Sequence, residues 1–435
     1  MGNEPLNNFR PKGNPKQGLA GATLGFFIGF TAVSLLGPSA KIFQDLMNLS
    51  PIMVGFLVAA PNLSGSILRI PFSAMADSTG GRKPFLILLA LSTIGTLGLY
   101  LIVEFFFPHG IGPEFYWLLL LFGVLGGCGV ATFSVGITQT SYWFPQRIQG
   151  SVLGVYGGIG NMSPGIFTFF FPIALLEFGL SGSYLIWLFF LVVGIIIYYF
   201  IGKNAWYFQM LKQGISRDDA KVFSRKQYGQ NIFPEGGFKQ SLLVSIRSWK
   251  TWVLILTYFT TFGGFLALTV WLPTYWPMFH SVPIRTASWF TTFFIILASL
   301  IRVAGGRITD KIGGEKTAKF SLLTMLAGSM IVIFSYDVFF SLVGIGLIAI
   351  GMGITNAAVF KLVPQEIPQA IGGAAGWVGG LGAFGGFVIP IIMASFVKTN
   401  NVGDPGYVHG FTIFAGLAFL SIILIYLLEY IRRPQ

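Results

Sequence analysis

The segment Leu68-Arg69-Ile70-Pro71-Phe72 places an arginine inside a long apolar run. Beyond it the chain turns polar, and a pattern R-x7-D-x2-G-G-x-K extends from Arg69 to Lys83. The same pattern occurs again between Arg302 and Lys316. An internal repeat of this kind predicts two structurally equivalent halves, each with one arginine in an apolar helix.

The composition is typical of a membrane protein. Of the 435 residues, 54% are hydrophobic and only 10% are charged, which is too few to cover a soluble surface. The sequence therefore predicts an all-α polytopic membrane protein. Cys128 is the one cysteine, and the sequence offers neither a nucleophile paired with a base nor a metal-ligand cluster. An enzyme is therefore disfavoured, and we expect no metal and no cofactor.

Twelve apolar segments are long enough to span a bilayer, and a polar stretch divides them six and six. We predict an N-terminal six-helix bundle over residues 1–201, a basic linker over 202–249 and a pseudo-symmetric C-terminal six-helix bundle over 250–435, in a monomer. Ser216 is expected to cap a short surface helix in the linker. The twelve segments cover residues 19–43, 51–76, 85–107, 115–141, 149–177, 183–201, 250–278, 287–309, 318–335, 338–361, 370–397 and 410–431.

Positive charge predicts the orientation. Of the 27 Lys and Arg residues, 22 lie on the side of the termini and the linker, and two are the arginines in apolar segments. By the positive-inside rule, both termini and the linker are cytoplasmic in a multi-pass protein of the cell membrane. Topology and contact with the lipid bilayer explain the net charge of +12, so no nucleic-acid partner is needed. The three cations on the other side are Lys41, Arg285 and Lys398.

Arg69 and Arg302 lie deep in their segments. Each is followed eight residues later by an aspartate in a polar turn, Asp77 or Asp310, which puts the arginine roughly 12 Å from the water boundary. A charge near the middle of the hydrocarbon core costs at least about 2.5 kcal/mol. No Asp or Glu lies in the middle of an apolar segment. A diffusible anion is therefore favoured over a structural ion pair as the partner of both cations.

Glycine runs also repeat between the halves. The run Gly157-Gly158-Ile159-Gly160-Asn161 corresponds to Gly379-Gly380-Leu381-Gly382-Ala383. Such runs indicate close helix packing, and they also suit helices that slide with their backbones in near contact. Asn161 is matched by Ala383, so one half keeps a polar amide. We expect that amide to face the substrate.

These features resemble the major facilitator superfamily and, within it, the nitrate/nitrite porter family. The first resemblance rests on the twelve segments and the two polar turns. The second rests on Arg69, Arg302 and the glycine run that ends in Asn161, and it covers nearly the whole chain. The superfamily implies two bundles that rock about a central site. The family implies transport of nitrate and nitrite, as in nitrate assimilation.

The resemblance also implies the residues of the site. Arg69 and Arg302 are expected to hold a planar oxyanion between them. Tyr258 is expected to donate a hydrogen bond. The other candidates are aromatic walls and parts of the glycine run, namely Phe262, Phe133, Phe30, with Phe26 and Phe27 as substitutes for Phe30, and Gly157 with Asn161.

Charge favours exchange as the mode of transport. An empty site holds two cations whose repulsion opposes closure, and a bound monoanion lowers that penalty. Nitrate/nitrite antiport is therefore the leading hypothesis. Proton symport is the close competitor, although no carboxylate is central and all three histidines fall at segment ends or in loops. Two further hypotheses are an exchanger of organic anions such as oxalate or formate, and an anion sensor without turnover.

The position of Lys361 helps to distinguish the hypothesis of a nitrate carrier from that of an organic-anion exchanger. It lies near the cytoplasmic end of the tenth segment, where a snorkelling boundary lysine is the favoured interpretation. A lysine that faced the cavity would instead indicate a larger or dianionic substrate.

Overall fold

The computed structural model describes residues 9–145, 149–234, 238–367, 371–399 and 401–432. Within these ranges all regular secondary structure is helical. Eleven helical runs among the described residues are long and apolar enough to cross a membrane. The prediction of an all-α polytopic membrane protein is confirmed.

The described part of the first half contains nine α-helices, with short 3-10 turns at Pro113–Phe115 and Gly127–Ala131. Several spans are built from two consecutive helices. The helices are α1 (Pro15–Phe30), α2 (Val33–Met47), α3 (Pro51–Ile67), α4 (Arg69–Thr79), α5 (Arg82–Phe106), α6 (Tyr116–Gly126), α7 (Thr132–Ser141), α8 (Gln149–Asn161) and α9 (Ser163–Ile201).

The linker and the second half follow. A π-helical turn at Phe259–Gly263 interrupts the first span of the second half. The linker helices are α10 (Trp206–Lys212), α11 (Arg217–Tyr228) and α12 (Phe238–Ile246). The remaining helices are α13 (Trp249–Tyr258), α14 (Gly264–His280), α15 (Ile284–Ile312), α16 (Gly314–Phe334), α17 (Val338–Glu366), α18 (Ile371–Ala383), α19 (Gly385–Phe396), α20 (Gly406–His409) and α21 (Thr412–Arg432).

The difference between twelve predicted segments and eleven runs arises at one glycine. The run Val152–Ile201 is 50 residues long, which is far more than one crossing needs. Inside it, Gly179 has a non-helical backbone with φ 67° and ψ −175°. The sequence predicts a break between residues 177 and 183, and Gly179 lies in that gap. The long run therefore holds the fifth and sixth predicted segments.

The two polar turns of the repeat share one backbone conformation. Gly80 follows α4 with φ 73° and ψ 161°, and Gly313 follows α15 with φ 91° and ψ 155°. A side chain at this positive φ is strained, so the first glycine of each G-G pair is needed to end its helix. The sequence repeat is thus also a structural repeat.

The linker contacts both halves on what we call the linker side of the molecule. Helices α10 and α11 pack in a small core that includes Phe9 and Trp143. Further along, the Trp377 indole in α18 donates to the Leu242 carbonyl in α12 at 3.0 Å. The predicted cap is confirmed, because Ser216 Oγ accepts from the Asp219 amide at the start of α11.

The two halves touch on the opposite side, which we call the far side. Asn62 Nδ2 in α3 donates to the Gly386 carbonyl in α19 at 3.1 Å. Gly37 in α2 packs so closely on α14 that a Cβ would lie 2.9 Å from the Val270 carbonyl oxygen. The two arginines of the repeat therefore lie behind tightly packed helices on the far side.

Candidate anion-binding site

Arg69 is fully buried at the start of α4. Its Nε donates to the Gly65 carbonyl one turn earlier at 2.9 Å, and its Nη1 donates to the Gly379 carbonyl in α18 at 3.3 Å. The Nη2 atom is buried and has no hydrogen-bond partner among the described residues. The guanidinium is therefore fixed by backbone on one side and keeps an unused donor on the other.

Arg302 lies in the middle of α15 and is half-buried. Its Nη1 atom is buried and finds no hydrogen-bond partner in the part of the chain that the structure describes. Arg302 and Arg69 repel each other electrostatically. Among the described side chains, neither guanidinium forms an ion pair with a carboxylate. This leaves two neighbouring positive charges inside the membrane without a counter-charge.

One pair of aromatic rings joins the two arginines. Phe133 in α7 and Phe262 in the π-helical turn stack with their centroids 5.4 Å apart. The Arg69 Cζ lies 4.8 and 5.0 Å from these two rings. The Arg302 Cζ lies 5.7 and 5.8 Å from them. Cation–π attraction stabilises both guanidinium groups against the same rings.

Tyr258 is the last residue of α13 and is fully buried. Its ring stacks on Phe262 at 4.9 Å with an interplanar angle of 8°. Its hydroxyl lies beside the Arg302 guanidinium without a close hydrogen bond to any described group, and it interacts electrostatically with both arginines. The structure therefore brings a third unused donor to the arginine pair.

Gly157 and Asn161 lie one turn apart on α8 and thus on the same face. A Cβ added at Gly157 would lie 3.8 Å from Arg302 Cζ and 3.7 Å from Phe133. Asn161 ends the helix, is almost fully buried and has no partner for its Oδ1. The α8 backbone at Gly157 therefore lies beside Arg302, and an added methyl group there would make only ordinary van der Waals contacts.

Phe30 is fully buried but lies one ring away from the arginines. It stacks on Phe26 at 5.2 Å. Phe26 is the ring that contacts Phe133, also at 5.2 Å. Phe26 therefore continues the aromatic cluster into α1, and Phe30 supports it from behind.

The internal repeat does not choose between Phe26 and Phe30. Phe26-Phe27-Ile28-Gly29-Phe30 has the same aromatic spacing as Tyr258-Phe259-Thr260-Thr261-Phe262. In both halves the first and last rings of this segment stack on each other. The repeat thus pairs Phe26 with Tyr258 and Phe30 with Phe262, so it leaves both phenylalanines as candidates. The Gly379 carbonyl that binds Arg69 had no sequence signal, because every residue carries a carbonyl.

Interrupted helices explain why these residues meet. Arg69 begins a helix, Phe133 follows a 3-10 turn, and Tyr258 and Asn161 each end a helix. Discontinuous helices near mid-membrane are a recurring way for transporters to build their binding sites. The interruptions fall at residues 31–32, Leu68, Gly127–Ala131, Met162, Phe259–Gly263 and Phe384.

Lys361 lies away from this site. Its Nζ donates to the Thr309 carbonyl at 2.7 Å and to Asp310 Oδ1 at 3.1 Å, at the linker-side end of α15. Thr309 comes seven residues after Arg302, roughly 10 Å along the helix. This placement agrees with a boundary lysine and gives no support to a third cation at the substrate.

Replacing Lys361 by methionine is expected to leave the KM for nitrate within about twofold of the wild-type value, because a partly exposed ion pair contributes little. The KM of labelled nitrate uptake in proteoliposomes checks this, at matched protein content. A large rise in KM would mean that Lys361 does contribute to the substrate site.

The site has the chemistry of an anion carrier. Two cations and a tyrosine hydroxyl hold unused donors around one aromatic cluster. Among the described residues, no group of three or more His, Cys, Asp or Glu is placed to hold a metal ion. A helical membrane protein with such a site is typical of secondary transporters for anions.

Comparisons with known proteins agree with this class. The sequence model of the Major Facilitator Superfamily matches residues 22–390. The chain is 30% identical over 397 residues to the probable nitrate/nitrite antiporter NarK1 of Thermus thermophilus, covering 86% of this chain and 83% of that protein. The chain belongs to the major facilitator superfamily and, within it, to the nitrate/nitrite porter family, as the sequence predicts.

Two further relatives and one solved structure are similar to this chain at lower sequence identity. The chain is 27% identical to the probable nitrate transporter NarT of Staphylococcus epidermidis, with 92% of this chain and 94% of that protein covered. It is also 27% identical to the nitrite extrusion protein of Bacillus subtilis, with 94% and 93% covered. The xylose transporter XylE from E. coli, in a partially occluded inward-open conformation, superposes with a TM-score of 0.72 at 15% identity, over 97% of this chain and 100% of that one. The last similarity shows the fold alone.

Proposed function

We propose that this protein transports nitrate and nitrite across the cell membrane by exchanging one anion for the other. One observation carries the proposal: among the described residues, Arg69 Nη2, Arg302 Nη1 and the Tyr258 hydroxyl are buried without a close hydrogen-bond acceptor beside one aromatic cluster. A buried donor without an acceptor costs about 1–3 kcal/mol. A bound anion would satisfy all three donors. The names of the curated relatives support nitrate and nitrite as that anion.

The shape of the groups favours a small planar oxyanion. Nitrate spreads one charge over three oxygens in a plane, and guanidinium offers fork-shaped donors in a plane. Arg69 is held by two backbone carbonyls, so its free Nη2 is directed before the substrate arrives. The rings of Phe133 and Phe262 lie against both guanidinium groups. Weak hydration makes nitrate easier to transfer into such a site than a strongly hydrated anion.

Charge balance is the argument for exchange. The empty site carries two positive charges at low dielectric, and their repulsion opposes closing the halves around it. A monoanion removes part of that repulsion. The loaded carrier therefore reorients more readily than the empty one, which is the condition for obligatory exchange. Among the described residues, no carboxylate forms an ion pair with either arginine. A protonatable carboxylate is therefore not placed to reduce this repulsion in place of the anion.

The distribution of positive charge gives the proposed orientation in the cell. The linker side carries most of the cations and is assigned to the cytoplasm by the positive-inside rule, together with both termini. Residues 1–201 and 250–435 would form the two bundles that rock about Arg69 and Arg302, in a monomer. Residues 202–249 would join them.

Labelled nitrate is expected to enter proteoliposomes only when they contain unlabelled nitrite or nitrate. The purified full chain is tested with nitrite inside, nitrate inside, no internal anion, and a pH gradient without an internal anion. Uptake in the first two arms alone supports exchange. Uptake driven by the pH gradient into otherwise empty vesicles would make the protein a proton symporter. Saturable nitrate binding without flux in any arm would make it a sensor, and neither binding nor flux of nitrate would contradict the proposal and favour an exchanger of organic anions.

A further inference from the structure

A groove of about 520 Å³ lies on the outer surface between α1 and α8. One face of α1 supplies Lys16, Leu19, Ala20, Thr23, Leu24 and Phe27. Their spacing of three and four residues is that of a single helical face. The other wall is formed by Val155 and Ile159 of α8, which are 40% and 48% exposed. No part of the arginine site lines this groove.

We propose that this groove binds one acyl chain of an anionic phospholipid from the linker-side leaflet, with the phosphate at Lys16. The dimensions fit this occupant. From Lys16 to Phe27 the groove follows α1 for roughly 16 Å. That is about the depth of one leaflet, since the whole hydrocarbon core is about 30 Å thick.

Charge and polarity select the kind of lipid. Lys16 is exposed in the first turn of α1, at the linker-side mouth of the groove. A lysine at this height attracts anionic headgroups. Deeper in the groove the walls are apolar except at Thr23, whose buried Oγ1 has no hydrogen-bond partner. A phospholipid matches this pattern because it has an anionic head, ester oxygens and an apolar chain.

The groove lies directly behind the substrate region. Phe26 on the inner face of α1 packs against Gly160 on the inner face of α8, and Phe26 also contacts Phe133. A chain wedged between the outer faces of α1 and α8 would support this packing from the lipid side. The bound lipid would therefore stabilise the relative position of the two helices that hold Phe26 and Gly157.

Native mass spectrometry of the purified full chain tests the proposal with dioleoyl phosphatidylglycerol and dioleoyl phosphatidylcholine as probes. Lys16→Gln removes the charge at the mouth, and Ala20→Phe fills the groove. Lys212→Gln in α10 and Ala90→Phe on the exposed face of α5 are the matched controls, since all four positions are exposed. Gel filtration confirms that each variant is folded, and nitrate binding is not part of the readout.

We expect the wild type to retain phosphatidylglycerol in preference to phosphatidylcholine. Lys16→Gln should weaken phosphatidylglycerol retention about fivefold, which corresponds to about 1 kcal/mol for one lysine near the headgroups. Ala20→Phe should remove retention of either lipid at this groove, and the two controls should match the wild type. Unchanged retention in Lys16→Gln and Ala20→Phe, or an equal loss in Ala90→Phe, would overturn the proposal.

Discussion

Arg302→Lys is expected to lower nitrate uptake by at least about tenfold at normal protein content, because hydrogen bonds to charged groups contribute about 1.5–3 kcal/mol each. Lysine keeps the charge but presents it as a point, and it cannot offer two donors in one plane to a flat anion. It also lacks the planar group that packs beside Phe133 and Phe262. The loss should therefore appear even though the net charge of the site is unchanged.

Arg307→Lys is the matched control, because Arg307 is exposed on the same helix α15 beyond the site. Initial rates of labelled nitrate uptake against internal nitrite are compared for the two variants and the wild type. Counterflow and direct nitrate binding are measured on the same preparations. Normal uptake by Arg302→Lys would contradict the argument that the substrate is recognised by two planar forks, and would leave charge alone as the source of affinity.

Repetition was the strongest information in the sequence. The sequence holds two copies of a pattern with one arginine each, which predicted two similar elements. The structure gives Gly80 and Gly313 the same positive-φ conformation at the two turns. The Ser216 cap was predictable because capping is local chemistry. The family was predictable because Arg69, Arg302 and the glycine run occur together. The roles of the site residues in transport remain predictions, although the structure gathers most of them around Phe133.

Features that depend on helix rotation were not predictable. Phe26 and Phe30 lie one turn apart, and both are buried. Which ring meets Phe133 depends on how α1 is turned where the span is interrupted at residues 31–32. The groove beside α1 depends on the gap between two helices, and no periodicity within one segment can predict a gap.

Gly158→Val is expected to reduce exchange by about tenfold or more while nitrate binding is kept, since overpacking a tight contact costs about 1–3 kcal/mol. Gly158 in α8 faces α15, where an added Cβ would lie 3.0 Å from Val303 and 3.7 Å from the Ser299 carbonyl oxygen. The other half repeats this contact: a Cβ at Gly380 would lie 2.6 Å from Ile70 and 3.6 Å from the Ser66 carbonyl oxygen. Val303 and Ile70 each come directly after the arginine of their half. Ser299 and Ser66 each lie three residues before it.

This symmetry is the reason to expect a defect in movement rather than in binding. In each half, the glycine helix packs on the arginine helix of the other half, so these two contacts must slide when the halves rock. Gly154→Val is the control, because Gly154 lies on the same helix and an added Cβ there meets nothing within 4 Å. Both substitutions replace glycine by valine on the same helix and change its helix propensity alike. A difference in exchange rate between the two variants therefore reports on the α8–α15 contact. Binding by calorimetry and exchange in proteoliposomes are compared for the pair. Equal exchange rates would exclude the α8–α15 contact as a moving surface, and equal loss of binding would place the defect in the site instead.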